Sequence, residues 1–69
     1  MILPYNVTFV GDFFSTTVSV ELDTEEPNIA ELSEDELDDV ARHLATNILE
    51  YHYGWKVAEV SDEIAVVAG

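Results

Sequence analysis

Cysteine is absent from these 69 residues, so no disulfide can staple the chain. A chain of this size buries only ~60% of the surface its unfolded form exposes. It must therefore rely on consistent local signals or on self-association. Missing cysteine also fits a reducing compartment. Bases are nearly absent as well. Lysine and arginine number 2 against 15 acids, for a net charge of −13. Nucleic acid and anionic membranes are poor partners for such a chain, because their binding rests on Lys and Arg meeting phosphate. A basic protein is a better one. No apolar run reaches the roughly 18 residues of a membrane span. The opening "MILPYNV" has neither the basic region nor the cleavage site of a signal peptide. The expected location is the cytoplasm. Glycine and proline are scarce too, at 3 and 2. Gly-rich phosphate loops and the Gly-x-Ser-x-Gly elbow are both missing.

What is present is a foldable apolar pattern. The hydrophobic fraction of 48% is too high for a disordered acidic chain. Residues 1–22 alternate as a β-hairpin. Gly11-Asp12 reads as its two-residue loop, with Gly where a type II′ turn needs it. That loop predicts pairing of Val10 with Phe13, Phe9 with Phe14, Val7 with Thr16, Tyr5 with Val18 and Leu3 with Val20. One face then carries Leu3, Tyr5, Val7, Phe9, Phe14, Thr16, Val18, Val20 and Leu22. Pro4 near the strand start suits a sheet edge. Residues 23–32 read as an acidic connection.

Residues 33–54 read as a helix with its terminator. Ser33 and Glu36 form an S-x-x-E capping box, and Leu32 with Leu37 a hydrophobic staple. Glu34, Asp35 and Glu36 complement the positive end of the helix dipole. Gly54 can close the helix in the left-handed conformation. Leu37, Val40, Ala41, Leu44, Ile48 and Tyr51 follow the spacing of one buried stripe. Asp35, Asp39, Arg42, His43, Thr46, Glu50 and Tyr53 lie opposite. Residues 55–69 read as a second hairpin, with strands Trp55–Val60 and Ile64–Ala68. A three-residue loop there would put Ala58, Val60, Ile64 and Val66 on one face. The expectation is a single α+β domain of order ββαββ, with one amphipathic helix on one face of a mainly antiparallel sheet. The uncovered face would show Val10 and Phe13, with Val57 and Val67.

Chemistry has little to stand on. Ser, His and Asp occur at no spacing that selects a triad. His43 and His52 are nine apart and make no zinc pair. His43 reads as a solvent-facing residue whose charge Asp39 favours. The acidic stretches do not match a calcium loop and lack its sharp-turn Gly. No enzyme activity, metal or cofactor is expected. In "YHYGW", Tyr51 and Trp55 read as core and Tyr53 as an exposed aromatic.

The acids are the outstanding feature. Ten of the 15 fall within residues 21–39. Helix capping accounts for Glu34, Asp35 and Glu36. It does not account for Glu21, Asp23, Glu25 and Glu26, and it only partly covers Asp38 and Asp39, which have Arg42 and His43 at i,i+4. Like-charge blocks of this kind are often interaction surfaces. Duplex DNA presents one charge per ~1.7 Å of axis. A helix of ~30 Å with an acidic loop beside it matches about one turn of that array. Asp23, Glu25, Glu26, Glu31, Asp35, Asp38 and Asp39 are therefore the expected contact set for a basic, nucleic-acid-binding protein. The alternative is a homo-oligomeric module, a homodimer for example, that buries the open sheet face while the acids keep it soluble. Strand addition at a sheet edge is a third mode.

The hairpin "NVTFVGDFFSTTVSVEL", the acidic capped helix "LSEDELDDVARHLATNILEYHYGW" and the closing "KVAEVSDEIAVVAG" together resemble the small acidic accessory and host-takeover proteins of bacteriophages. The resemblance spans most of the chain and lies in its overall pattern. It implies a binding and inhibitory role against a host protein, some members of that group being DNA-like in charge, and a location in the host cytoplasm.

Overall fold

The computed structural model describes residues 1–69. Two long strands, β1 (Ile2–Gly11) and β2 (Phe14–Asp23), form an antiparallel hairpin. A single turn, α1 (Pro27–Ala30), leads to the main helix α2 (Glu34–His52). A second single turn, α3 (Val57–Val60), precedes β3 (Glu63–Ala68). β3 pairs antiparallel with β1, so the sheet order is β2-β1-β3. Three antiparallel strands and one main helix make this an α+β fold. No helix is long and apolar enough to cross a membrane.

The ββαββ order does not hold, because Trp55–Val60 is not a strand. Ala58 and Glu59 at the centre of that segment are helix formers that strands disfavour. β1, moreover, has β2 on one side and β3 on the other, so residues 55–60 do not pair with it. They fold as a helical turn instead, with Val60 N–H bonded to Lys56 O at 3.2 Å and Ser61 N–H to Val57 O at 2.9 Å. Val57 is thereby buried in the core rather than shown on the open face. Ala58 and Val60 do not share a strand face with Ile64 and Val66.

The first hairpin forms, with its register moved by two residues. Gly11 pairs with Phe14, Val7 with Val18, Tyr5 with Val20 and Leu3 with Leu22. A slip of two keeps every side chain on its expected face. The loop is Asp12-Phe13, and neither residue has positive φ, so it is not a primed turn. Gly11 serves another purpose. A Cβ there would sit 2.0 Å from the Val60 carbonyl oxygen. Its bare backbone lets α3 close over the end of β1, where Asp62 N–H bonds Val10 O at 2.8 Å. Pro4 lies on the central strand, not an edge. It stands one residue past the last β1–β3 pair, Tyr5 with Ala68, so its missing N–H breaks no rung there.

Helix α2 starts and stops where its signals say. Glu36 N–H donates to Ser33 Oγ at 3.4 Å, and Ser33 N–H to Glu36 Oε1 at 3.3 Å, which completes the capping box. Gly54, with φ of 72°, turns the chain out of the helix. The buried stripe keeps Leu37 and Ala41 of the expected one, has Val40 and Ile48 half-buried at its side, and otherwise differs. Leu37, Ala41, Ala45 and Leu49 face Tyr5, Val7, Phe9, Val20 and Leu22. Ala41 and Ala45 are fully buried, so the backbone of α2 can lie close to the sheet. Leu44 and Tyr51 are instead 39% and 84% exposed. Trp55 is partly exposed rather than core, and packs edge-on to Phe14 with ring centroids 5.0 Å apart. The sheet face away from α2 is uncovered and shows Val10 and Val67, while Phe13 projects from the loop.

Candidate protein-binding surface

The expected contact residues all fall on the segment from the end of β2 to the first turns of α2. Asp23 closes β2 and is half-buried; its Oδ1 accepts the Glu25 N–H at 2.9 Å, an Asx turn that starts the connection. Glu25 is exposed, 3.7 Å from the Met1 amine. Glu26 caps α1, where its carbonyl accepts the N–H groups of Ile29 and Ala30. Glu31 is exposed at the other end of that turn. Asp35 and Asp39 are exposed on α2, and Asp38 is half-buried.

These acids are not one uniform array. Asp39 is engaged, because Arg42 pairs with its carboxylate and His43 Nδ1 lies 3.8 Å from its Oδ2. Asp38 and Glu34 stand near the buried Tyr5. Burial first, then these two carboxylates, push the Tyr5 hydroxyl above its ordinary value. Asp23 and Glu26 join Glu21 beside an apolar depression lined by Ile2, Ile29, Val40 and Leu44. Of the ten acids in residues 21–39, only Glu25 and Asp39 have a positive group within ion-pair distance.

Sequence reasoning missed an apolar groove. Between α2 and the outer edge of β2 runs a cleft of about 530 Å³, lined by Val20, Leu44, Ile48 and Tyr51. The helix periodicity did single out Leu44, Ile48 and Tyr51 as apolar and co-facial. It could not tell that the sheet ends before reaching them. No three His, Asp or Glu side chains converge as metal ligands. Comparison of the chain with models of known families, with curated proteins and with solved structures finds no match.

Proposed function

We propose that this chain is a non-catalytic acidic binding protein that engages a basic, nucleic-acid-binding protein and competes for its nucleic-acid site. The supporting observation is the uncompensated charge of residues 21–39, where eight of the ten acids have no cationic neighbour. Such charge costs stability through self-repulsion and suits a partner rich in Lys and Arg. A carboxylate array of this kind would steer a basic cleft toward itself, with association that is fast and salt-sensitive. Asp35 and Asp39 project outward from the first half of α2, and Asp23, Glu25, Glu26, Glu31 and Asp38 extend the array. That the target belongs to a bacterial host rests on the phage-like pattern of the sequence alone.

The test is capture from bacterial lysate on the immobilised protein, with duplex DNA as competitor. A nucleic-acid-binding protein should be retained at low salt and released by high salt or by the duplex. The double variant Asp35→Lys, Asp39→Lys should fold and lose that retention. Unchanged affinity of the variant at low salt would sink the acidic-face model. A homo-oligomeric reading draws on the uncovered sheet face with Val10 and Val67. Sedimentation at micromolar concentration decides it, and a clean monomer removes it.

A further inference from the structure

Helix α2 carries apolar side chains that the sheet does not cover. It packs most on β2, and less and about equally on β1 and β3. Leu44 and Tyr51 project past β2, at 39% and 84% exposure. β2 is an edge strand, so its outer N–H and C=O groups have no strand partner. The space beneath the overhang is not one isolated dimple. The 530 Å³ cleft joins a second of about 330 Å³ toward Trp55 through shared Ser19 and Ile48. It joins a third of about 420 Å³ toward Ile2 through shared Glu21 and Leu44. Together they follow β2 from Thr16 to Asp23. Successive β2 residues from both sheet faces line them, as a groove along a strand edge requires. At ~3.3 Å per residue this length takes an extended segment of about six to eight residues.

We infer that this groove binds an extended segment of the partner as a fourth strand, with apolar side chains under α2 and Lys or Arg at the alternate positions. The backbone of β2 supplies the hydrogen bonds, and Leu44, Ile48 and Tyr51 cover the apolar side chains. Charge selects the occupant. Glu21, Asp23 and Glu26 rim one end of the groove, and the chain carries −13 overall. A second copy would bring acids against acids, whereas a basic segment would neutralise them. The inference rests on the proposed basic partner and adds a grip at the β2 edge to the contact on the outer face of α2.

A synthetic hexapeptide of alternating lysine and valine is the probe. It should slow hydrogen exchange at β2 amides and bind more weakly as salt rises. Tyr51→Ser, a change at an exposed site, should raise its Kd by about tenfold, as loss of an aromatic anchor does. Leu44→Gln should do the same. Insertion of a central proline in the peptide should abolish the β2 protection, because the added strand loses a donor. Equal binding of hexalysine without β2 protection overturns the groove and leaves only a charged surface. Self-association that protects the same amides, and strengthens with salt, overturns it in favour of a second copy. Asp35→Lys, Asp39→Lys lies outside the groove. Peptide binding without capture of a nucleic-acid-binding protein therefore rejects the proposed function alone, and capture without peptide binding rejects the groove alone.

Discussion

Tyr5 ties the core to the acids at the scale of a single residue. Its ring is buried under α2, and its hydroxyl lies near Asp38 and Glu34. Burial and those two carboxylates disfavour the phenolate, so the folded pKa is above 10.0. The folded state therefore holds the Tyr5 proton more tightly than the unfolded chain does. That contribution is complete below the unfolded value and is lost as pH rises from 10.0 through the folded pKa. Urea midpoints should fall across this range, and Tyr5→Phe should flatten the fall. An identical slope in both proteins would mean that Tyr5 stays accessible to hydroxide. Tyr5 was legible as a core residue from period-2 alternation. Its acidic neighbours were not, because they approach from a helix about thirty residues on.

Among the elements, α2 shows how far pattern reading reaches. Its ends are written in local chemistry: the Ser33–Glu36 box and Gly54 act within a few residues of the backbone they complete. Its roll about the axis is not. The residues it buries against the sheet are Leu37, Ala41, Ala45 and Leu49, where two alanines permit close approach. A count of large apolar side chains favours Leu44, Ile48 and Tyr51 instead. Substitution separates the two arrangements. Leu49→Ala empties a site that is 1% exposed and should cost about 2–5 kcal/mol. Tyr51→Ala should stay within about 0.5 kcal/mol, as exposed changes do. Denaturant titration reads both, and the reverse order would restore the sequence-based stripe. The lost strand at 55–60 has the same kind of cause. Whether a short segment pairs or coils depends on what the rest of the fold buries, here Val57 in the core.

At the scale of the whole molecule, charge governs stability beyond the core. The molecule measures 37 × 20 × 16 Å. Its net charge of −13 makes repulsion the larger of its charge–charge terms. The Met1–Glu25 and Arg42–Asp39 ion pairs are both exposed, so each adds little. Salt should therefore screen more repulsion than attraction, and the urea midpoint should rise as NaCl is added. A midpoint that falls with salt would show that the exposed pairs outweigh the repulsion. The proposed binding of a basic partner should weaken over the same range, so stability and affinity should move in opposite directions.

The sequence by itself determined the strand faces of the hairpin, the start and stop of α2, the α+β class and the concentration of acids in residues 21–39. Each rests on chemistry between near neighbours or on composition, which folding cannot rearrange. Tertiary structure alone decided the register of β1 on β2, the union of β3 with β1, the helical turn at Val57–Val60 and the side of α2 that meets the sheet. Those depend on packing between separate elements, some about fifty residues apart, such as Gly11 beneath the Val60 carbonyl and Val10 O on Asp62 N–H. The apolar groove at the β2 edge belongs to the same set. It exists because α2 sits toward β2, with Leu44 and Tyr51 reaching past that edge of the sheet.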